Sequence, residues 1–560
     1  MRDANGATAG GARGAWSLLA LTTVLALPAC KDAVESVPPA VPANLVVTQL
    51  TLTSVRVTWD AVSSAESYAL ERADAGNPGV FTQVGGTLAN PTHDDAGLTA
   101  GVSYSYRVAA VAGTLMSEYA TPVSIATGLK TATLNGNVTA SRTLKADTVY
   151  TLSGYVKVTN GATLTIEAGT RIVGDTTTPG SSLWILRGAK IEAQGTAAQP
   201  IVFTSARSAG NRAPGDWGGI VIVGNGIINR TGATISTEGP ANISENYAGG
   251  NNNADNSGTL KYARIEFAGY DVSNGAGQEL NGVSMYAVGG GTRLEYVEVL
   301  SGLDDSFEFW GGAVQGRYLL SYESGDDHYD WSEGFQGKLQ HIVAFQSQRL
   351  VPRPGTGTVS SDPRSVEADG CDPGVTGCSV TTTGASEPYS NPTVANFTFV
   401  GTGALGGFPS DGNGIVFRRG TGGWLQNGVI ARFKGIGINL RDAWTDSLHT
   451  RDSLGIKDVI LAENGQNYDA VGSHFGQETK FASDNHRTAA TSAELFVANG
   501  LNTTSLDWTP AGAATSGGGT LPAARAAGFF GGTMDNTTYV GAANPAGPKW
   551  WQGWSAYAVN

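Results

Sequence analysis

From about residue 131 to its end, the chain repeats short apolar segments separated by Gly, Asn, Asp and Thr, with no helical periodicity of useful length between them. Two Asp-Asp pairs mark one interval: the first starts at Asp304 and the second at Asp326, 22 residues later. Strand–turn units of roughly 20–25 residues without helices indicate a parallel β-helix, in which each coil stacks on the previous one. A β-sandwich or a β-propeller is the alternative architecture.

Several segments after residue 131 carry a resemblance to known proteins. A-T-L-T-I-E-A-G-T-R-I-V-G, followed by A-K-I-E-A-Q-G-T-A-A-Q-P-I-V-F-T-S, resembles the opening coils of right-handed parallel β-helix proteins with the pectate-lyase-like superfold. G-D-W-G-G-I-V-I-V-G, E-L-N-G-V-S-M-Y-A-V-G and the final W-W-Q-G-W resemble a family of bacterial surface lipoproteins without an established reaction. The resemblance implies an all-β solenoid over residues 131–560 and no particular chemistry. Residues 350–392 and 500–548 lack strand periodicity, which predicts long loops there.

The segment before the repeats, residues 43–128, has a different pattern. Val55, Val57 and Trp59 alternate with polar residues, as do Tyr104 and its neighbours in Y-S-Y-R-V. Short alternating strands separated by turn residues predict a β-sandwich. The opening P-A-N-L and the block G-L-T-A-G-V-S-Y-S-Y-R-V resemble a fibronectin type III domain. Such domains serve as spacers or as binding units, and we favour a spacer.

The N-terminus predicts export. Residues 1–30 combine two arginines, a short apolar run and P-A-C, which is the pattern of a signal peptide. L-P-A-C resembles a bacterial lipobox, which implies that Cys30 becomes a lipidated N-terminus; ordinary cleavage nearby, with Cys30 incidental, is the alternative. Residues 31–42 form a Pro-rich linker. We therefore expect a bacterial envelope protein, on the outer membrane or cell surface, attached to the membrane only through this anchor.

Charge and cysteine usage narrow the possible partners. The formal net charge of −13 argues against nucleic acid and anionic membrane surfaces, because like charges repel. Gly accounts for 78 of the 560 residues, as expected for an extracellular all-β protein with many tight turns. Cys371 and Cys378 lie seven residues apart in a Gly/Pro-rich segment, which predicts a small disulfide-closed loop in an oxidising compartment. Two free thiols are the alternative.

Carboxylates cluster at the repeat interval. Residues one coil apart would stack on neighbouring rungs, and like charges in line must bind a cation, stay protonated or be solvated. Ca²⁺ takes six to eight oxygen ligands, so we name it as a candidate ion. An edge of solvated, turn-forming Asp residues is the alternative, and Glu367 and Asp369 could join from the next loop. The predicted metal ligands are Asp304, Asp305, Glu308, Asp326, Asp327 and Asp330.

The same carboxylates could serve catalysis. Polysaccharide hydrolases with this fold use neighbouring Asp residues as acid and base, whereas the lyases hold Ca²⁺ and use Arg or Lys as the base. The characteristic polygalacturonase and pectate-lyase sequences are missing, so the sequence favours a protein without enzymatic activity. If the protein is an enzyme, the candidate catalytic residues are Asp304, Asp305, Asp326, Asp327 and Arg317, with His328 or Lys338 nearby.

Aromatic side chains accompany the acidic residues. Exposed aromatics beside carboxylates could stack on sugar rings, and the predicted ligand-binding residues are Trp310, Tyr329 and Trp331. Core packing is the alternative, because each coil needs bulky side chains. Trp550, Trp551 and Trp554 are further surface candidates, or a cap for the open end of the solenoid.

These observations favour a non-catalytic binding module for a glycan or an envelope protein, with Ca²⁺ as a candidate structural ion. A polysaccharide lyase or hydrolase is the first alternative, and a structural or adhesin element is the second. The sequence does not identify the ligand or the oligomeric state.

Overall fold

The computed structural model describes residues 37–378, 386–403, 412–469, 478–496 and 505–557. The predicted signal peptide, Cys30 and the first part of the linker lie outside these residues. The chain divides into two compact units, one ending at Thr127 and one comprising essentially residues 128–560. Each unit is described by itself.

The first unit is a β-sandwich of two antiparallel sheets. One sheet has the order β1-β2-β5, and the other has the order β4-β3-β6-β7 with β8 paired to β6. Trp59 and Tyr68 pack edge to face between the sheets, with ring centroids 5.3 Å apart. This confirms the fibronectin type III expectation. The strands are β1 (Val46–Thr51), β2 (Ser54–Thr58), β3 (Ser67–Asp74), β4 (Thr82–Leu88), β5 (Thr92–Ala96), β6 (Ser103–Ala112), β7 (Leu115–Met116) and β8 (Val123–Ala126).

The second unit is a solenoid of stacked strands. Its first coils contain β9 (Lys130–Val138), β10 (Arg142–Leu144), β11 (Thr148–Val158), β12 (Thr163–Ile166), β13 (Arg171–Gly174), β14 (Ser182–Ile185), β15 (Lys190–Gln194), β16 (Ile201–Ser205) and β17 (Ile220–Val223). The middle coils contain β18 (Gly258–Glu266), β19 (Tyr270–Asp271), β20 (Glu279–Leu280), β21 (Val283–Tyr286), β22 (Arg293–Leu300), β23 (Phe307–Trp310), β24 (Gln315–Tyr322), β25 (Tyr329–Ser332) and β26 (Lys338–Phe345).

The last coils contain β27 (Arg364–Asp369), β28 (Thr393–Val400), β29 (Asn413–Arg418), β30 (Gly423–Ala431), β31 (Ile436–Leu440), β32 (Leu454–Ala462), β33 (Gln466–Tyr468) and β34 (Arg487–Ala489), and a hairpin follows with β35 (Ala527–Phe529) and β36 (Gly532–Thr533). The helices are α1 (Ala443–Thr450), α2 (Glu478–Ser483) and α3 (Ala523–Ala526), with 3₁₀ turns at Ser492–Leu495 and Gly512–Thr515. No helix among the described residues is long and apolar enough to cross a membrane.

Twenty-four strands of the solenoid form one hydrogen-bonded network in which every strand pairs in parallel with strands of neighbouring coils. They make three faces, which we call sheets 1, 2 and 3. Sheet 1 contains the second half of β11, then β14, β17, β21, β23, β25, β27, β29, β31 and β33. From β18 onwards, one long strand in each coil supplies its first half to sheet 2 and its second half to sheet 3. This arrangement confirms the expected parallel β-helix.

The corner between sheets 2 and 3 is one residue long in each of seven coils. That residue has a positive φ of 45–63°, a conformation that turns the chain without breaking the strand. The aromatic members stack on one another, with ring centroids 4.4 Å apart for Tyr262 and Tyr296 and 4.5 Å apart for Tyr296 and Tyr318. This stacking offsets part of the cost of a left-handed residue, about 1 kcal/mol or more. The corner residues are Tyr262, Tyr296, Tyr318, His341, Asn396, Asn427 and Asp458.

Alternate side chains on sheet 1 fill the solenoid interior. Phe307 and Tyr329 are register partners on adjacent coils, and their rings stack with centroids 5.3 Å apart. Phe309 and Trp331 form the next inward pair, and none of the four side chains is exposed. Because side chains alternate along a strand, the intervening residues of β23 and β25 project outward.

The C-terminal segment, residues 505–557, covers the outer face of sheet 3. That face is apolar, with Tyr322 and Phe345 on neighbouring coils, and it packs against Trp508, Trp551 and Trp554. Trp508 donates a hydrogen bond from Nε1 to the Tyr322 hydroxyl at 2.9 Å. The segment predicted as a long loop near residues 500–548 therefore forms a packed layer in its described part. Trp551 and Trp554 are buried within this layer, against the side of the solenoid, so they are not surface residues.

Residues 350–392 also differ from the expected continuous loop. Strand β27 interrupts this segment and pairs with β25 and β29. Its sequence R-S-V-E-A-D has charged residues at three of six positions, so it lacks the apolar alternation that marks the other strands.

Residues 224–257 form an insertion between β17 and β18. Ile235 and Tyr247 of this insertion pack against the outer face of the early coils of sheet 1.

Candidate functional site

Three carboxylates form a column on the outer face of sheet 1. Glu308 pairs in register with Asp330, and Asp330 pairs with Glu367 on the following coil. The interval between the first two is 22 residues, which is the repeat that the sequence indicated. Neighbouring strands lie about 4.8 Å apart, so the three carboxylates are held close together by backbone pairing alone.

A second group of carboxylates lies at the turn before β23 and β25. The backbone N–H of Asp327 donates to Asp305 Oδ1 at 2.8 Å, which fixes one coil above the other. Ligand oxygens of three overlapping sets lie within 4.8 Å of one another, and these sets connect the turn with the column. The sets are Asp304–Asp305–Asp326, Asp305–Glu308–Asp330 and Asp327–Asp330–Glu367. The structure thus brings together all six predicted metal ligands.

Arginines neutralise only the later part of this cluster. Arg364 contacts Asp327 at 3.1 Å and Glu367 at 2.5 Å, and Arg418 contacts Asp369 at 2.7 Å. Among the described residues, no ion pair reaches the earlier part. The carboxylates without one are Asp304, Asp305, Glu308, Asp326 and Asp330.

Two oxygens in the earlier part are shielded from solvent and unpaired. Oδ1 of Asp326 and Oδ1 of Asp330 have no hydrogen-bond partner, although part of each side chain remains exposed. A buried polar atom without a partner costs roughly 1–3 kcal/mol. Such atoms at converging carboxylates indicate a missing donor or a missing cation.

Burial changes the protonation of the cluster. Desolvation, followed by repulsion from neighbouring carboxylates, raises the pKa of Glu308 and of Asp330 well above the usual range. Burial raises the pKa of Asp326 to about 7, and it raises that of Asp369 to about 6 against the opposing effect of its arginines. At neutral pH, part of the cluster therefore holds protons unless a cation replaces them.

Sequence reasoning missed two members of the cluster. Glu238 comes from the 224–257 insertion and Glu279 from β20, and both carboxylates raise the pKa of Asp304. Burial raises the pKa of Glu238 itself to about 8, with Glu279 as the next cause. Neither residue lies at the repeat interval, because insertions rather than coils carry them, so no pattern could have identified them.

The column lines a cleft of about 360 Å³, which we call the acidic cleft. Its floor contains Glu308, Asp330 and Glu367, and one wall contains Tyr286 and Trp310. These two rings stack with their centroids 3.9 Å apart and their planes within 10° of parallel. Trp310 was predicted as a ligand-binding residue, and the structure places it in this wall.

A disulfide-closed loop also lines the acidic cleft. Cys371 and Cys378 are bonded, with their Cα atoms 5.5 Å apart, so the predicted pairing is present. The backbone N–H of Thr231 donates to the Gly377 carbonyl at 2.9 Å, which ties this loop to the 224–257 insertion. Two long loops thereby enclose a strand surface that would otherwise be open.

Two predicted ligand-binding residues lie elsewhere. Tyr329 and Trp331 point into the solenoid and have no exposed surface, so they cannot contact a ligand in the cleft. They occupy the odd positions of β25, whereas the outward positions hold Asp330 and Ser332. The packing alternative is therefore the correct one for both. Glu333, also in the acidic segment, accepts hydrogen bonds from Arg230 and Tyr247 and is not part of the carboxylate column.

The predicted catalytic bases are not in the cleft. Arg317 lies on sheet 2 and contacts Glu295 at 2.5 Å, and Lys338 on the same sheet donates to the carbonyl of Arg525. His328 is buried beside Ser321, with Nδ1 2.5 Å from the hydroxyl, and desolvation lowers its pKa to about 3. The turn of the coil between β23 and β25 carries Arg317 to a different face from the carboxylates.

The donor set suits a hard divalent cation. All the converging groups are carboxylate oxygens, which Ca²⁺ prefers, and no Cys or His takes part. Each set of three offers fewer oxygens than Ca²⁺ requires, unless bidentate carboxylates, water or a ligand complete the shell. An incomplete shell is the arrangement through which a bound ion could also hold a ligand.

Comparison with known proteins bears on the domains. A family model described as a pectate-lyase-like β-helix domain matches residues 136–512, and a fibronectin type III model matches residues 40–126. No curated protein matches the chain.

Among solved structures, one titled "Myokine structure" is 21% identical over 16% of this chain and 98% of its own. The FN1–FN3 domains of chicken CNTN1 are 20% identical over 16% of this chain and 33% of theirs. An Fn3-like protein from Clostridium thermocellum is 24% identical over 16% of this chain and 92% of its own. The TM-score is 0.15 in each case, so these matches carry no argument about the molecule as a whole.

Proposed function

Because this chain belongs to the family of pectate-lyase-like β-helix domains, with a fibronectin type III domain before it, we propose that it is an exported envelope protein that binds a glycan in the acidic cleft through a divalent cation. Ca²⁺ is the ion we favour. The cation would take Asp305, Glu308 and Asp330, which have no ion pair among the described residues, as its protein ligands, and the glycan would complete its shell. The part of Trp310 that remains accessible, 8% of the residue, would contact a sugar ring beside it.

One observation carries the proposal. Asp326 and Asp330 each have a shielded oxygen without a partner, inside a cluster whose earlier half has no ion pair among the described residues. Protonation relieves the repulsion, and each added proton supplies one O–H donor to one acceptor. A cation satisfies both the charge and the acceptors at once.

The test uses residues 31–560 of the exported protein. Thermal unfolding with Ca²⁺, with Mg²⁺ and with a chelator measures cation binding. Affinity electrophoresis against polygalacturonate, alginate, xylan and dextran, each with Ca²⁺ or chelator, measures glycan binding. We expect Ca²⁺ to raise the melting temperature by several degrees and to retard the protein in at least one gel. An unchanged melting temperature in millimolar Ca²⁺ would contradict cation binding. No retardation of the protein in any of the gels would contradict glycan binding.

An enzymatic role is the second candidate, on one observation. The pKa of Asp326 near 7 is the value that suits a general acid or base at neutral pH. Incubating the protein with the same polysaccharides and assaying new reducing ends or unsaturated products separates cleavage from binding. Asp326→Asn should abolish any such product while leaving the fold intact.

Lipid anchoring belongs to the same proposal. We propose that Cys30 carries the anchor and that the linker and the fibronectin type III domain act as spacers. Metabolic labelling with a fatty acid analogue, compared with Cys30→Ser, tests it: the label should depend on this cysteine.

A further inference from the structure

The outer face of sheet 3 differs between its early and its later coils. The later coils are apolar and lie under the C-terminal segment. In the early coils, Arg171 on β13 pairs with Val202 on β16, and Val202 pairs with Arg264 on β18. Ile172 and Phe203, the next residues along, lie in the core, so the two arginines project outward. They belong to one column, two strand steps or about 10 Å apart at the backbone.

A third arginine reaches this column from the loop between β16 and β17. Arg212 Nη1 lies 3.8 Å from Glu266 Oε2, and Arg264 Nε donates to Glu266 Oε1 at 2.9 Å. Arg264 also donates from Nη1 to the carbonyl of Trp554 at 3.2 Å, at the edge of the C-terminal segment. Arg171 is half-buried and makes no ion pair within the described part of the chain. We call Arg171, Arg212 and Arg264 the arginine cluster.

Neighbouring acids do not balance the arginine cluster. Asp216, at the end of the same loop, contacts Arg353 at 2.6 Å and Arg207 at 3.6 Å, so it has two arginines of its own. Glu298 pairs in register with Arg264, but burial raises its pKa to about 8, so it is largely uncharged at neutral pH. Glu266 is thus the one charged acid that faces the cluster among the described residues. The cluster keeps an excess of positive charge in a chain whose formal net charge is −13.

Unsatisfied groups accompany this excess charge. Burial, followed by repulsion from Arg212, lowers the pKa of Arg171, and Arg264 acts in the same direction. Oγ1 of Thr204, an outward residue of β16, is fully buried and has no hydrogen-bond partner. Nε of Arg207, at the start of the loop that carries Arg212, is also shielded and unpaired. Native structures leave few such atoms, so their presence beside like charges indicates an absent anion.

The geometry of the arginine cluster suits a tetrahedral anion. Each guanidinium donates through a planar fork that matches the oxygens of phosphate or carboxylate. The three groups come from two strands and a loop, so they approach from different directions. A phosphate group presents oxygens in several directions, whereas a carboxylate is flat. Phosphate also carries about two negative charges near neutral pH, which matches three arginines opposed by one glutamate.

We propose that Arg171, Arg212 and Arg264 bind a phosphate group on the outer face of sheet 3. The phosphate is either the free ion or an ester on a sugar, because the guanidiniums would contact only phosphoryl oxygens in both. Once bound, it would neutralise the arginine cluster and bring an acceptor to the face that carries the Thr204 hydroxyl. The site is separate from the acidic cleft, which lies on sheet 1, and requires no divalent cation.

The experiment uses residues 31–560 at about pH 7 with a chelator, so that Ca²⁺ plays no part. Thermal unfolding at increasing inorganic phosphate or glucose 6-phosphate, against KCl of equal ionic strength, gives the affinity. We expect phosphate to raise the melting temperature above that in KCl, and Arg171→Gln to weaken binding about tenfold or more. In KCl, Arg171→Gln should be at least as stable as the wild type, because it removes a repelling charge. Arg142→Gln, at an exposed arginine of β10, is the matched control and should bind like the wild type.

Arg212→Gln provides a second measurement if Arg171→Gln does not fold, because Arg212 lies on a loop rather than on a strand. A greater effect of glucose 6-phosphate than of inorganic phosphate would support the site with a sugar ester as its ligand, and an equal or smaller effect would support it with the free ion. A gain in phosphate that both arginine variants retain would overturn the proposal. The absence of any gain over KCl with either probe would overturn it as well.

Discussion

Glu308 and Asp330 face each other on adjacent coils of sheet 1, and neither carboxylate has an ion pair among the described residues. Two acidic side chains in register would ordinarily destabilise a sheet. Here the backbone keeps them together, and Phe307 and Tyr329 stack beneath them in the solenoid core. The packing energy of the core therefore holds a charge arrangement that repulsion would otherwise separate.

Asp330→Asn should abolish most of the stabilisation by Ca²⁺. In chelator the variant should be no less stable than the wild type, because burial and the neighbouring carboxylates raise the pKa of Asp330 and so disfavour its charged form. At a Ca²⁺ concentration 100 times the dissociation constant, the wild type should gain about 2.7 kcal/mol and the variant much less. Thermal unfolding measures both, with the exposed Glu494→Gln as the matched control. An equal gain in Asp330→Asn would remove this residue from the site.

Ca²⁺ affinity should rise with pH across neutrality. Protons and the cation compete for the same oxygens, and the pKa of Asp326 is about 7, so binding must release protons below that value. Titration calorimetry at pH 6, 7 and 8, in buffers of different ionisation enthalpy, measures affinity and proton release together. A constant affinity over this range would show that the carboxylates are already ionised.

Glu298→Gln should reduce the loss of stability that occurs as the pH rises from about 4.5 to 8. Glu298 lies on sheet 3 under the C-terminal segment, fully buried, with Oε1 unpaired and Oε2 accepting from the N–H of Ala556 at 2.9 Å. Burial raises its pKa from 4.5 to about 8, so the folded state holds a proton that the unfolded state releases. Stability should thus fall as pH rises from about 4.5 to 8, by up to about 1.4 kcal/mol per unit.

Denaturation of wild type and Glu298→Gln between pH 5 and 9 provides the measurement. The glutamine variant should have the shallower slope, since it has no proton to lose. Identical slopes would mean that Glu298 stays ionised in the folded protein.

Trp331→Ala should mainly lower stability, whereas Trp310→Ala should mainly weaken glycan binding. Trp331 is fully buried in the solenoid, so its truncation should cost about 3–5 kcal/mol and lower the melting temperature. Trp310 lines the acidic cleft, so its truncation should weaken retention by the polysaccharide gel while lowering stability less. Parallel thermal unfolding and affinity electrophoresis distinguish them. A stable Trp331→Ala with lost binding would reverse the assignment of the two residues.

The architecture could be predicted from the sequence because each coil of a solenoid repeats the same pattern of strands and turns within a short stretch of chain. The 22-residue interval between Asp-Asp pairs is the length of one coil, so the register of Glu308 with Asp330 followed from the spacing alone. The fibronectin type III domain was recognisable for a similar reason, since its strands alternate over a short segment. In both cases neighbouring residues along the chain carry the information.

The site was predicted only in part, because insertions complete it. Glu238 and Glu279 reach the cluster through long-range folding, and nothing in their flanking residues marks them. Inward and outward positions were also ambiguous in Y-D-W-S, where Tyr329 and Trp331 are core although acidic neighbours suggested a surface. Whether a side chain points inward or outward depends on its odd or even position along the strand. The sequence alone does not show at which residue this alternation begins.

The one-residue corner between sheets 2 and 3 has a consequence for how such a chain can diverge. A single left-handed residue in each of seven coils leaves no room for an added residue there, because any insertion would shift the following strand by one position and turn its core side chains outward. In these seven coils, length changes must therefore accumulate at the other two corners, and both the 224–257 insertion and the disulfide-closed loop lie at the corner between sheets 1 and 2. Among relatives, new loops should appear around the rim of the acidic cleft, so binding preference can evolve while the coil stays constant.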